Sequence, residues 1–217
     1  MIKEFVLKLA EEIHKGLPGL EAHKIMAPVT RPLISFDEAD FPQANKGAVM
    51  ILFYPAGDAI SFVLIKRPSY DGVHGGQVSF PGGRVESSDP ETAFTALREC
   101  EEETGIDKNS IRVFGKLSNV YIPPSNYFVF PYLGYLESTP QFTPDKHEVE
   151  YIIEADVKKI TDPKIKSTIN IIRKDISFTA PCYLINEHKV WGATAIILSE
   201  LEFLLVRNMK KEVGGEK

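Results

Sequence analysis

The chain lacks the features that mark small secreted proteins and membrane proteins. It has two cysteines in 217 residues, Cys100 and Cys182, and their spacing fits no zinc-binding motif. We therefore expect two buried thiols in a reducing compartment. No apolar run is long enough to span a bilayer, and charged side chains interrupt residues 1–17, so neither a membrane span nor a signal peptide is expected. These absences predict a cytoplasmic protein.

An excess of positive charge is also absent. The chain has 25 lysines and arginines against 30 aspartates and glutamates, and its formal net charge is -5. Such a balance argues against a general nucleic-acid binder, which needs a basic face. With 43% hydrophobic and 25% charged residues, the composition is typical of a globular domain that forms its core without disulfides.

Glutamates are concentrated in one short stretch, Arg98-Glu99-Cys100-Glu101-Glu102-Glu103-Thr104-Gly105-Ile106. On a helix, positions i, i+3 and i+4 share a face, so Glu99, Glu102 and Glu103 point the same way. Two carboxylates about 6 Å apart repel by roughly 3 kcal/mol at an effective dielectric of about 20. Arg98 can pair with Glu102 but cannot balance three acids, and clustered carboxylates suit Mg²⁺ or Mn²⁺. A solvated acidic face is the alternative interpretation.

A glycine-rich bend precedes this stretch, in Phe80-Pro81-Gly82-Gly83-Arg84-Val85-Glu86. Glycines permit close approaches that a side chain would block, so the Gly83 carbonyl is a further candidate metal ligand. The helix is predicted to begin after an N-cap at Ser88 or Asp89 and to end before Gly105. The bend and the acidic face are therefore neighbours in sequence.

Bend and helix together resemble the Nudix box, usually written G-x5-E-x7-R-E-U-x-E-E-x-G-U, where U is a bulky apolar residue. The second half of that pattern matches position by position over residues 98–106, with Cys100 in the first apolar slot. In the first half, the spacing from glycine to arginine is one residue longer if Gly83 is the box glycine. Asp89 is then the first acid of the box, and Glu86 is its competitor.

Further segments resemble one Nudix subgroup, the coenzyme A diphosphatases. That subgroup has the same longer spacing after a segment reading approximately L-L-T-x-R-S/A-x3-R-x3-G-x3-F-P-G-G, which residues 63–83 resemble. Three positions depart from it: Ile65, Pro68 and Gly72. Gly72 stands where the second arginine of the segment belongs. Residues 22–28 and 191–195 are also similar to this subgroup.

The resemblance implies an α/β fold, namely a Nudix-type α/β/α sandwich with a mixed β-sheet. We expect one domain with terminal additions: residues 46–209 form the Nudix hydrolase domain, residues 1–45 an N-terminal helix and loop-rich extension, and residues 210–217 a flexible tail. The resemblance also implies an enzyme that hydrolyses a diphosphate linkage with Mg²⁺ or Mn²⁺. For coenzyme A the products would be 3',5'-ADP and 4'-phosphopantetheine.

Residue roles follow from the same resemblance and from the charges near the bend. The predicted metal ligands are Glu99, Glu102, Glu103, Glu148 and the carbonyl of Gly83. Glu148 stands where family members carry another acid, and Glu150 is its alternative. Glu102 or Glu148 is expected to accept the proton of the attacking water, and Arg98 to orient the acids. The predicted substrate-binding residues are Lys66, Arg67, His74, Gln77 and Arg84.

Two rival functions remain open. The arginine missing at Gly72 removes one cation for a polyphosphate, which favours an enzyme acting on another nucleoside diphosphate derivative, such as ADP-ribose, a dinucleotide or a nucleoside triphosphate. The other rival is a catalytically idle Nudix fold that binds nucleotides or partner proteins. The complete second half of the box argues against this idle fold. For the enzyme, whichever derivative it cleaves, the expected partner is a small-molecule diphosphate.

Elsewhere the hydrophobic pattern predicts two terminal helices and several strands. Residues 2–17 are predicted to form an amphipathic helix suited to packing or to contact in a homodimer, and residues 194–207 an apolar helix. Residues 22–45 and 120–126 are predicted to be connecting loops. Seven runs are typical of strands: 48–54, 60–66, 77–80, 111–117, 127–136, 176–185 and 188–191.

Overall fold

The long strand β1 (Asn45–Ala56) accounts for the layered architecture. Its side chains alternate between two faces, and both sets are apolar: residues such as Ile51 and Phe53 enter one core cluster, whereas Met50 and Leu52 enter a second. A strand buried on both faces needs cover on both sides, and helices supply it. The computed structural model, which describes residues 1–28, 38–69, 75–173 and 176–214, is therefore an α/β/α sandwich.

Five helices and eleven strands follow one another in the described residues. In chain order they are α1 (Ile2–His14), α2 (Leu20–Met26), β1, β2 (Ala59–Lys66), β3 (Val78–Ser79), β4 (Gly82–Arg84), α3 (Thr92–Thr104), β5 (Arg112–Lys116), β6 (Val120–Ile122), β7 (Tyr127–Tyr135), β8 (Tyr151–Asp156), α4 (Val157–Ile160), β9 (Lys166–Arg173), β10 (Ile176–Ile185), β11 (His188–Trp191) and α5 (Ala193–Gly214).

The first eight strands form one mixed sheet, and β9 to β11 form a small antiparallel sheet. The path through the large sheet is β3-β2-β1-β7-β5, with β4 also on β1, β6 on β7 and β8 on β2. Strands β1 and β7 are parallel, and the other pairs in the described residues are antiparallel. The predicted sandwich with a mixed sheet is thus confirmed.

The glycine bend is part of the large sheet. The last pair in register between β1 and β2 is Phe53 with Phe62. Beyond it the chain from β3 to β4 lies between the two strands, with β3 on β2 and β4 on residues 47–49 of β1. The bend is therefore held by backbone pairing on both of its arms.

Helix α3 begins later than its sequence predicts. Thr92 is its first residue and Glu91 its N-cap, with no side-chain capping hydrogen bond, so the predicted N-cap at Ser88 or Asp89 is wrong. The Asp89 carboxylate instead accepts hydrogen bonds from Arg98, Thr95 Oγ1 and Glu86 N. At the other end Gly105 adopts the left-handed conformation, with a φ of 74°, and ends the helix as predicted.

Other sequence predictions are corrected or extended by the structure. The predicted loop at residues 22–45 overlaps α2, and the one at 120–126 contains β6 and a short 3-10 turn. Strands β8 and β9 were not among the predicted strands. Gly72, His74 and residues 215–217 of the predicted tail lie outside the described residues. Within the described residues, no helix is both long and apolar enough to cross a membrane.

The N-terminal helix packs against the C-terminal one. Ile2, Val6 and Leu9 of α1 join the same core cluster as the apolar residues of α5. Packing therefore accounts for the apolar stripe of α1. The homodimer and the division into extension, domain and tail stay predictions.

Glu200 of α5 connects three parts of the fold. Its fully buried carboxylate accepts hydrogen bonds from Gly19 N at 3.0 Å, His23 Nε2 at 3.2 Å, Ser118 N at 2.9 Å and Ser118 Oγ at 2.7 Å. Burial raises the pKa of Glu200, but the hydrogen bonds from His23 and Ser118 lower it, so that the pKa lies below its usual range. Residues 22–28, which resemble the coenzyme A subgroup, are attached to α5 through this carboxylate.

We predict that Glu200→Ala lowers the free energy of unfolding by about 3–5 kcal/mol, because it leaves several buried donors unpaired. Because the folded-state pKa is lowered, the contribution of Glu200 is complete above the usual carboxylate pKa of about 4.3 and is lost as the pH falls through the lowered value. Urea denaturation at neutral and acidic pH measures both effects. The exposed Glu187→Ala is the control, and equal stability of the two variants would contradict the prediction.

Candidate active site

The packing of α3 fixes the direction of its acidic side chains. Ala96 and Cys100 are buried in the second core cluster, and Glu103 is buried on the same side of the helix, so this side faces inward. Glu99 and Glu103 are one turn apart and both contact the glycine bend. Gly82 N donates a hydrogen bond of 2.7 Å to Glu103 Oε2.

The second glycine of the bend makes room for Glu99. A Cβ placed on Gly83 would lie 2.3 Å from the nearest atoms of the Glu99 carboxylate. Gly82 is equally restricted, because its φ of 155° and the nearby backbone of Ala48 and Val49 leave no space for a side chain. The bend therefore needs both glycines, one for its own packing and one for the carboxylate.

A third carboxylate arrives from a distant segment. Ligand-capable oxygens of Glu99, Glu103 and Glu148 all lie within 4.8 Å of one another. Glu148 is exposed, but its turn is anchored, since Val149 is buried and Glu150 N donates to Lys66 O at 2.8 Å. The structure thus brings together three of the predicted ligands, whereas Glu150 is tied by its backbone to the end of β2.

The three carboxylates carry more negative charge than their surroundings compensate. Burial raises the pKa of Glu103 to about 7, although Arg67 and the Gly82 N–H act in the opposite direction. Burial also raises the pKa of Glu99, against the effect of Arg98. The neighbouring charge of Glu148 adds to both shifts. A cation at this place would relieve the repulsion.

Arg98 orders the acids from the other side of the helix. Its Nε and Nη2 each donate to one oxygen of Asp89, at 3.1 Å, and its Nη1 donates at 2.9 Å to both Glu99 and Glu102. Nη2 also donates to the carbonyl of Arg84 in β4, at 3.1 Å. Arg98 can therefore orient Glu99 while holding α3 to the strand.

Of the two candidates for the first acid of the box, Asp89 is the one that contacts Arg98. The hydrogen bond from Arg98 lowers the pKa of Asp89 to about 2, and Glu86 N and Thr95 Oγ1 also donate to this carboxylate. Glu86 is exposed and accepts a hydrogen bond from Ser88 Oγ at 3.4 Å. Asp89 is thus bound to the arginine and is not part of the group of three acids.

Of the two other predicted metal ligands, Glu102 lies beside this group and the Gly83 carbonyl faces β1. Glu102 is half exposed and shares Arg98 Nη1 with Glu99. The Gly83 carbonyl approaches β1 so closely that a Cβ on Gly47 would lie 2.9 Å from it. The metal-binding roles of both groups stay predictions.

Of the predicted substrate-binding residues, Arg67 holds the bend and Lys66 holds the segment that precedes β3. Arg67 Nη2 donates to Gly82 O at 2.7 Å, and Lys66 Nζ donates to Gly76 O at 2.5 Å. Arg84 is exposed in β4, and the carbonyl of Gln77 accepts from Arg67 N at 3.0 Å. His74 lies outside the described residues, and the role of all five in substrate binding stays a prediction.

The donor set fits a hard divalent cation. All three side chains offer carboxylate oxygens, the ligands that Mg²⁺ and Mn²⁺ prefer. Arg67 Nη2 lies 2.8 Å from Glu103 Oε1 but not in hydrogen-bonding geometry, so this buried oxygen keeps its lone pairs available. Octahedral Mg²⁺ with bonds of about 2.0–2.1 Å needs ligand oxygens within about 4.2 Å of one another, so only a small closure is required.

One supporting residue was not identified from the sequence alone. Thr194, at the start of α5, is buried and donates from Oγ1 to Val78 O at 3.1 Å. Val78 belongs to β3, the strand that leads into the bend. In the sequence, residues 191–195 resemble the coenzyme A subgroup, but this resemblance does not indicate a role for Thr194.

Comparison with known proteins agrees with this geometry. The family profile of the NUDIX domain matches residues 44–170. Two related proteins, from Yersinia pestis (strain Pestoides F) and Yersinia pseudotuberculosis serotype O:1b (strain IP 31758), are each described as an uncharacterized Nudix hydrolase, NudL. Each is 28% identical over 161 residues, which cover 74% of this chain and 80% of the relative.

A solved structure shows the same fold. The Nudix hydrolase RenU from M. smegmatis superposes with a TM-score of 0.51 and 14% sequence identity, over 76% of this chain and 87% of that chain. At this identity the likeness concerns the fold alone.

We predict that Gly83→Ala leaves the fold intact and weakens Mn²⁺ binding. The added methyl group displaces the Glu99 carboxylate, the mobile end of a side chain, and such displacement of a ligand lowers metal affinity about 10- to 100-fold. Titration of Mn²⁺ by electron paramagnetic resonance measures the change. Gly57→Ala in the distant turn between β1 and β2 is the control: its φ of +60° strains the added methyl group as well, but no atom lies within 4 Å and the acids are untouched. Unchanged Mn²⁺ affinity in Gly83→Ala would refute the arrangement.

The affinity for Mn²⁺ is expected to rise with pH through about 7. Because burial raises the pKa of Glu103 to about 7, the metal must displace a proton below that pH, and the apparent affinity falls up to about tenfold per pH unit there. Calorimetric titrations at several pH values between 6 and 8 test this. Glu103→Gln is expected to flatten the dependence, and an affinity that does not vary with pH in the unmodified protein would contradict it.

Proposed function

Because the chain belongs to the Nudix domain family and is a hydrolase that acts on diphosphate bonds, we propose that its substrate is coenzyme A or one of its derivatives. Cleavage of the diphosphate linkage of coenzyme A gives 3',5'-ADP and 4'-phosphopantetheine. The observation that carries the proposal is the meeting of Glu99, Glu103 and Glu148 beside the glycine bend. The choice of coenzyme A is supported by the three segments that resemble the coenzyme A diphosphatases, residues 22–28, 63–83 and 191–195.

In this proposal Mg²⁺ or Mn²⁺ is held by the carboxylates of Glu99, Glu103 and Glu148, with Glu102 and the Gly83 carbonyl as further ligands. A divalent cation bound there would neutralise phosphate charge and lower the pKa of a water molecule that attacks phosphorus in line. The protein contributes the position of the acids, which the bend and Arg98 fix before substrate arrives.

Two glutamates are candidates for the general base. Glu148 is exposed and lies within the group of three acids, so it can accept the proton of the attacking water. Glu102 is the alternative, because it is also exposed and Arg98 holds it next to Glu99. Arg98 acts as a positioning residue. The exposed Arg84 of β4 is available to bind a phosphate.

A second candidate is the hydrolysis of another nucleoside diphosphate derivative, such as ADP-ribose. Gly72 replaces an arginine of the coenzyme A segment, and the side chains of Lys66 and Arg67 donate to backbone carbonyls. Few cations near the bend are therefore left to bind the 3'-phosphate, which coenzyme A carries in addition to its diphosphate.

We place the enzyme in the cytoplasm, because Cys100 and Cys182 are free and buried.

Incubation with coenzyme A, ADP-ribose or a dinucleotide, each with Mg²⁺ or Mn²⁺, tests the proposal when the products are followed by chromatography. We expect coenzyme A to be cleaved, and Glu102→Gln to lower turnover about 100-fold or more, because the variant loses an acid of the site. Glu101→Gln is the matched control on α3, since Glu101 pairs with Lys108 away from the group of acids.

The outcomes separate the candidates. Cleavage of ADP-ribose or a dinucleotide without cleavage of coenzyme A would select the second candidate. If none of these substrates is cleaved, although the metal binds, both candidates are rejected. Normal turnover in Glu102→Gln would remove the role given to that residue.

A further inference from the structure

A pair of aromatic side chains lies where the large sheet meets the small one. The rings of Tyr151 in β8 and His188 in β11 have centroids 5.5 Å apart and an angle of 40° between their planes. Tyr151 is 37% exposed, which makes it the one exposed tyrosine among the described residues. His188 is half-buried.

The polar atoms of both rings are available. Among the described residues, the side chains of Tyr151 and His188 form no hydrogen bond or ion pair, and their contact is with each other. Most aromatic side chains of the chain pack into the two core clusters instead. A phenol and an imidazole that share a partly exposed surface can receive the flat face and polar edge of a ligand.

This pair is close to the acids of the candidate active site. Tyr151 follows Glu148 by three residues, so their Cα atoms are at most about 11 Å apart. It is paired in register with Lys66, and the next residue, Arg67, contacts Gly82 and Glu103. Tyr151 therefore lies next to the end of β2, and the residue that follows this end contacts the place where a diphosphate would bind.

The charges around the pair favour an uncharged ring over a further phosphate. Glu148 and Glu150 are both exposed acids next to Tyr151 in the chain, and the ammonium group of Lys66 donates to Gly76 O. Glu187 and Lys189, both exposed, flank His188 with opposite charges, so the neighbourhood stays acidic and would repel a third phosphate group. A nucleobase has no charge, and stacking on an aromatic ring suits any base.

We propose that Tyr151 and His188 form a stacking surface for the purine base of the substrate. The surface is separate from the acids that receive the diphosphate, and it binds the nucleoside half of the molecule. The inference rests on the proposed function only in that the substrate contains a nucleoside diphosphate. Tyr151 and His188 thus distinguish the two halves of the substrate, because they bind the nucleoside half and not the other.

Calorimetric binding of the two expected products tests the assignment without requiring turnover. Tyr151→Ala is expected to weaken binding of adenosine 3',5'-bisphosphate about tenfold, which corresponds to the loss of one stacked base. Tyr151→Phe retains the ring and should restore binding. Binding of 4'-phosphopantetheine should not change in any of these variants. Leu184→Ala removes an exposed apolar side chain of the small sheet and is the control.

Two results would overturn the proposal. One is unchanged binding of adenosine 3',5'-bisphosphate to Tyr151→Ala, or an equal loss in Leu184→Ala. The other is a loss confined to 4'-phosphopantetheine, which would give the surface to the other half of the substrate. If coenzyme A is not hydrolysed but ADP-ribose is, AMP should show the same dependence on Tyr151, so failure of the substrate proposal and of this one can be told apart.

Discussion

Two carboxylates of α3 pack against the backbone of two glycines in the bend, and the rest of the site depends on this contact. Glu103 accepts from Gly82 N, and Glu99 occupies the space that a Cβ of Gly83 would fill. The contact places negative charge where burial disfavours it, and the pKa of both acids rises. A site with this charge is prepared for a cation, because binding removes the repulsion that folding has created.

Several surrounding interactions act to keep the bend in place. Arg67 holds the carbonyl of Gly82, Arg98 joins α3 to Arg84, and Thr194 fixes β3 from the far side of the sheet. Glu200 attaches α2 to α5, which carries Thr194. These contacts join segments distant in sequence to the strand that carries the glycines. Through them residues 22–28 and 191–195 are connected to the strand that leads into the bend.

Much of the architecture could be predicted from local patterns. The acidic face of α3, its pairing of Arg98 with Glu102 and its end at Gly105 follow from helix geometry and from the conformational freedom of glycine. The start of the same helix could not be predicted this way, because Asp89 resembles an N-cap in sequence, yet its carboxylate binds Arg98, nine residues away. The contact with Arg98 takes the place of a capping hydrogen bond to the first turn of the helix, and sequence spacing does not reveal such a competition.

The amino-acid sequence by itself determined the acidic helix and the glycine bend, because each depends on neighbouring residues and on the period of a helix. The α/β class followed from the resemblance of these segments to the Nudix family. Only the tertiary structure decided which acids meet. It brought Glu148 to Glu99 and Glu103, left Glu102 beside them, and directed Arg67 to the bend. The reason is physical: distances between segments far apart in sequence are set by how strands pair and helices pack, and these depend on the whole core.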